Sequence, residues 1–253
     1  MSEKNECCND CIPFNERLKD FLLNKKKYRL EYRLLKYCGV SLFILLGLQG
    51  LVYFTVFRYI EGFLGKFGWW FFYLDLAVVS IGAAMWHLHS HKTKISMMPG
   101  MMIGMTFGMQ TGLMIGAIVA ATNGIFMGGM TGMLSGVLIG LFNGKCCGIM
   151  GALEGMMAGM MNGIMGGMIG VMFFADKILL FMPFFIAINM IIMWGLSYMV
   201  VEEISEKDQK VRKAPADFVT FFSSVVIAAA IISILILYGP RSGLAAASGI
   251  KLW

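Results

Sequence analysis

Between Met97 and Phe174 glycine returns at four-residue intervals, and methionine fills many of the positions between. The stretch holds 20 of the 31 glycines and 18 of the 24 methionines, with only two charged residues, Lys145 and Glu154. Its wording is close to a formula: Gly-Met-Met-Ile-Gly-Met-Thr-Phe-Gly from Gly100, and Gly-Met-Met-Ala-Gly-Met-Met-Asn-Gly from Gly155. In a water-exposed helix each glycine costs roughly 1 kcal/mol against alanine, so a soluble helix would not survive this spacing. In a bilayer, small residues at i, i+4 and i+8 let helix backbones approach closely where hydrophobic burial cannot drive association. The spacing therefore predicts membrane helices packed through a glycine zipper, with Gly104, Gly108, Gly112, Gly155, Gly159 and Gly163 on the contact faces.

The rest of the chain agrees with a membrane setting. Of 253 residues, 58% are hydrophobic and only 14% charged, and the mean hydropathy is +0.74. Such values exclude an ordinary soluble domain. The net charge of +6 comes from basic residues beside apolar runs. No basic surface interleaved with aromatics suggests nucleic acid. The N-terminus is polar and the first apolar run starts near Cys38, too far in for a cleavable signal.

Seven apolar runs are long enough to cross about 30 Å of hydrocarbon: 37–57, 69–87, 98–120, 124–142, 149–174, 178–200 and 218–238. The fold class is an all-α polytopic membrane protein with about seven transmembrane helices. Residues 1–36 form a cytoplasmic tail with Cys7, Cys8 and Cys11, followed by a basic amphipathic helix at the interface. Residues 37–96 hold two spans, 97–174 a three-helix Gly/Met core, and 175–253 two further spans with a charged loop. Turns are expected at Ala121–Gly124 and at Asn143–Gly148. Lysine and arginine favour the loops on the N-terminal side, which places the N-terminus in the cytoplasm and the C-terminus opposite. The two glycine-methionine motifs then lie in parallel spans, as a short local duplication would give.

Several soft ligands and two acids are candidates for chemistry. At 100° per residue, Met150, Glu154, Met157, Met161, Met165, Met168 and Met172 share one face of span five, opposite its glycines. Met101, Met105 and Met109 form a second ladder in span three. The thioether is a soft neutral ligand suited to Cu(I). Cys7, Cys8 and Cys11 contain a CxxC, His87, His89 and His91 form HxHxH, and Cys146-Cys147 is a vicinal pair. The expected topology sets all three groups on the cytoplasmic face. Methionine also fills irregular gaps, so packing alone accounts for the ladders equally well. The histidines can equally be interfacial polar residues, and the cysteines lipidated or plain turn residues. Ionisable groups within spans default to functional hypotheses. Glu154, on the methionine face, is the preferred ion or proton relay. Asp75 is placed near the outer boundary, where Lys66 or Arg58 would pair with it. Asn123, Asn143, Asn162, Gln49 and Gln110 are expected to bridge helices. Phosphate-loop, HExxH and nucleophile-elbow patterns are absent, so no enzyme is expected.

The combination of MxxxM (Met101/Met105, Met105/Met109, Met156/Met160, Met157/Met161, Met168/Met172) with GxxxG resembles eukaryotic copper transporters of the Ctr type. That resemblance implies Cu(I) passage through the membrane. Those transporters have three spans and an outward Met-rich tail, in contrast to the seven spans and inward cysteines expected here. Cys146-Cys147 is also similar to vicinal cysteines of bacterial mercury-uptake proteins. The expected function is a transporter or channel for a soft metal ion, with the bilayer, a second copy docked through the glycine faces and a cytosolic metal chaperone as partners. The alternatives are a structural or pore-forming glycine-zipper assembly, and a proton or cation channel using Glu154.

Overall fold

The computed structural model describes residues 29–55, 63–90, 97–145, 148–173, 178–206 and 218–240. Seven helices account for nearly all of them: α1 (Arg29–Thr55), α2 (Phe63–Ser90), α3 (Met97–Asn123), α4 (Ile125–Gly144), α5 (Gly148–Met172), α6 (Ile178–Glu206) and α7 (Phe218–Tyr238). Helix is the expected solution, because backbone polar groups in hydrocarbon must be satisfied within the segment. Six of these helices, α2 to α7, are long and apolar enough to cross a membrane. The chain is thus a multi-pass helical membrane protein. The apolar part of α1 within the described residues is shorter, Lys36–Leu51. The N-terminal 28 residues, with most of the expected amphipathic helix, lie outside the described residues; residues 29–36 continue directly into α1.

The three central helices meet backbone to backbone. Gly104, Gly108, Gly112 and Gly116 of α3 face Gly151, Gly155, Gly159, Gly163 and Gly167 of α5, with Gly128, Gly132, Gly136, Gly140 and Gly144 of α4 closing the third side. A Cβ on Gly104 would stand 2.9 Å from both the Gly144 Cα and the Gly151 carbonyl oxygen. One on Gly132 would stand 2.7 Å from the Gly116 Cα and 3.0 Å from the Gly163 oxygen. Real Cβ atoms do not approach backbone so closely, so at these positions any larger residue would force the helices apart. Numbers rise together along α3 and α5 and fall along α4, so α3 and α5 are parallel and α4 is antiparallel to both. The facing pairs 104/151, 108/155 and 112/159 are 47 residues apart, whereas the repeated motif is displaced by 55. The textual repeat is therefore not the structural register.

The turn between α3 and α4 is tighter than the four residues expected. Ala121, Thr122 and Asn123 remain helical, and Gly124 alone reverses the chain at φ 107°, a conformation other residues rarely adopt. At the other end of α4, Gly148 has φ 84°.

The face of α3 away from its glycines carries the main apolar core. Ile103 and Phe107 pack with Ala84 of α2 and with Met193, Leu196 and Val200 of α6. Further along, Met114, Ile115 and Ile118 join Leu74, Ala77 and Val78 of α2, Met182 and Ile186 of α6, and Ala229 and Ile236 of α7. Polar contacts pin the remaining crossings. Pro183 lies inside α6 and has no N–H to donate to the carbonyl of Leu179. The Tyr73 hydroxyl of α2 donates to that carbonyl at 3.1 Å, satisfying the acceptor that proline leaves open. Asn123 Nδ2 donates to the Leu235 carbonyl at 3.0 Å, tying the α3–α4 turn to the end of α7.

A contrast between two glycines tests this packing. Gly159 is walled in by the backbone of Gly136 and Val137, while Gly129, also on α4, has open space where its Cβ would be. Gly159→Ala is expected to lower stability by about 1–3 kcal/mol through overpacking. Gly129→Ala should be neutral or slightly stabilising, since alanine is the better helix former. Thermal unfolding of the two variants in the same detergent decides the point; equal midpoints would contradict the close-packed core.

Candidate functional site

The methionines of α5 stand where helical periodicity places them, and they face outward. Glycines occupy the buried side of α5, while Met157, Met161, Met165, Met168 and Met172 are 61%, 65%, 54%, 48% and 75% exposed. Met150 is exposed as well. In α3, Met105 is exposed, while Met101 and Met109 are half-buried. These side chains therefore do not line a channel inside one chain, because the axis of the three-helix core is filled by glycine backbone. The glycine faces of α3, α4 and α5 named above are covered by one another within a single chain, whereas Gly39, Gly47, Gly50, Gly129 and Gly195 have open space beside them.

The other expected metal groups are dispersed or not described. Cys7, Cys8, Cys11, His91, Cys146 and Cys147 lie outside the described residues. His87 is buried in α2, and the helix continues through His89 to Ser90. The side chain of His89 lies outside the described residues. Among the described residues no three His, Cys, Asp or Glu side chains come together to hold a metal. Glu154 is half-buried on α5, and no described residue bonds to it.

Asp75 has a different place from the one expected. It is 0% exposed, and its Oδ1 accepts a hydrogen bond from Gln49 Nε2 of α1 at 2.8 Å. Its Oδ2 is buried with no partner among the described residues. The carboxyl sits seven residues after the start of the apolar stretch Gly68–Leu88, about 10 Å along the helix at 1.5 Å per residue. The partner on Oδ1 is an amide from a neighbouring helix, while Arg58 and the Lys66 side chain lie outside the described residues.

The expected amide bridges divide. Gln49 and Asn123 do connect helices. Asn143 and Asn162 donate to carbonyls four residues back on their own helices, Ile139 and Ala158. Gln110 is buried and its Oε1 has no partner, next to Thr111, whose hydroxyl is likewise unmatched. The Gln49–Asp75 pairing itself is the point that sequence reasoning missed. Its signal was available: Gln49 is the only amide in the first span and Asp75 the only acid in the second.

Comparison of the chain with protein-family models, with curated proteins and with solved structures gives no match.

The pair makes an asymmetric prediction about stability. Gln49→Leu leaves a buried carboxyl with no donor and should cost about 1–3 kcal/mol. Replacing both partners by leucine should recover much of that loss, because no unmatched polar group remains. A double-mutant cycle on thermal unfolding reads this directly; strict additivity would show that the bond carries no coupling.

Proposed function

We propose that the protein is a membrane transporter or channel for a soft metal ion, Cu(I) being the ion best matched to thioether ligands, with the methionine face of α5 as its conducting surface. The observation that supports this reading is the division of α5 into a glycine side turned to α3 and α4 and a continuous thioether side turned out. Leucine or isoleucine would serve equally well against lipid. Methionine adds a soft donor about once per turn, a spacing over which an ion can pass between neighbouring sulfurs without a charged group. The glycine core leaves no room within α3, α4 and α5, so the path runs along the outer surface of α5 and is completed by a second copy across it. Glu154, on the same side, supplies a carboxylate at the end of the helix where Cys146 and Cys147 lie in sequence. In this scheme the cysteine and histidine groups exchange the ion with a cytosolic metal chaperone.

A second reading is a structural glycine-zipper assembly in which methionine only meets lipid. The outward position of the ladder favours it, since lipid alone solvates such a face. The two differ in one experiment. Met157, Met161 and Met165 are replaced together by leucine, which preserves apolarity at outward positions. Copper content of the purified protein and Cu(I) uptake into liposomes are then measured, each with and without a Cu(I) chelator. The transporter reading expects both to fall to background with the unfolding temperature unchanged. Copper content and uptake equal to wild type would leave the scaffold reading in its place.

A further inference from the structure

We propose that Asp75 is a proton-binding site within the membrane, and that its occupancy is coupled to the docking of α1. This inference is independent of whether the methionine face carries metal. Three observations lead to it. First, the carboxyl is fully enclosed, with Oδ1 held by Gln49 Nε2 at 2.8 Å and Oδ2 buried without a partner among the described residues. Second, among the described residues no compensating cation stands at its depth. Of the helices packed against α2, the stretches 38–55 of α1, 97–123 of α3, 178–200 of α6 and 218–238 of α7 contain no charged residue. On α2 itself the other titratable groups are Lys66, two and a half turns away, Tyr73, whose hydroxyl is engaged by the Leu179 carbonyl, and the histidines at the far end of the helix. An ionised carboxylate in that setting would be an unpaired buried charge, which proteins avoid by protonation. The resident form is therefore the neutral acid, with the proton on Oδ2 and Oδ1 accepting from the amide.

Third, the element that covers this acid buries few of its described side chains. Among the described side chains of α1 only Ser41 and Leu45 are buried. Tyr37 meets Trp86 at one end, with ring centroids 5.7 Å apart and planes tilted by 49°, and Gln49 meets Asp75 further along. Gly47 and Gly50 flank Gln49, and neither has any atom within 4 Å of where its Cβ would be. Half-buried Gln49 thus links the enclosed carboxyl to the outer surface of α1. When α1 withdraws, water reaches Asp75, the Oδ2–H bond breaks, the proton passes to water and the carboxylate is hydrated. Return of α1 expels that water and requires the proton back. One proton is released and one taken up in each cycle.

Infrared spectroscopy of the full chain in lipid nanodiscs tests the site through the carbonyl stretch of a protonated carboxyl. At neutral pH the wild-type spectrum should contain that band, it should vanish as the pH is raised, and Asp75→Asn should lack it while remaining folded. Glu154→Gln should leave it in place. Gln49→Leu removes the one donor that stabilises the ionised form, so its band should persist to a pH higher by roughly one unit. Coupling to α1 is read by hydrogen exchange: α1 amides should exchange faster above the titration than below it in wild type, after correction for intrinsic rates, and show no such step in Asp75→Asn. Absence of the band at neutral pH, or its survival in Asp75→Asn, overturns the proton site. A Gln49→Leu midpoint that is unmoved or lower, or an α1 step retained in Asp75→Asn, overturns the coupling.

Discussion

Contact between three glycine-lined backbones is the interaction on which the rest of this structure depends. In hydrocarbon, water expulsion gives helices no reason to associate, so attraction must come from dispersion and weak Cα–H···O contacts, both of which require close approach. Glycine at every fourth position on α3, α4 and α5 supplies that approach on all three sides at once. The consequences follow in order. The axis of the trio is solid backbone, bulky side chains are pushed outward, and the opposite face of α3 is left to hold the other helices. That face carries Ile103, Phe107, Met114 and Ile118, around which α2, α6 and α7 gather. Helices α4 and α5 form the outer layer on the glycine side.

Polar groups are used sparingly, each at a place where an acceptor needs a donor. Pro183 opens a carbonyl in α6, and Tyr73 of α2 fills it. Asn123 fastens the turn at Gly124 to α7. Gln49 fastens α1 to α2 through Asp75. The first two join helices whose buried side chains belong to one apolar cluster. The third joins a helix with few buried side chains to an acid that has an unmatched oxygen, which is why the α1–α2 contact can respond to protonation whereas the glycine core cannot.

The proposed metal surface and the proposed proton site belong to different parts of the molecule. The thioethers lie on α5, whose neighbours are α3 and α4, and Asp75 lies between α1 and α2. Helix α3 stands in the middle of the bundle, in contact with α2, α4, α5, α6 and α7. Any coupling between the two sites would have to pass through it, by a shift of α2 against the apolar face of α3 and not by deformation of the glycine contacts.

Much of this architecture was legible in the amino-acid order alone. Hydropathy located the seven helices, six of them long and apolar enough to cross a membrane, because a bilayer of fixed thickness leaves little choice of length, and the four-residue period separated the glycine and methionine sides of α5. Period and hydropathy are local properties, so they could not tell which surfaces meet. That Gly104 packs against Gly144 and Gly151, that the α5 methionines point away from the bundle, and that the glycine faces close on one another within one chain are decided by tertiary packing. The same holds for Asp75. Its sequence neighbours suggested a boundary acid seeking a lysine or arginine, but α1 folds across it and offers an amide. Composition and periodicity determined that this chain is a bundle of membrane helices with a soft-donor face. Only the three-dimensional arrangement decided where that face looks and which acid is sealed from water, because both depend on contacts between residues far apart in the chain.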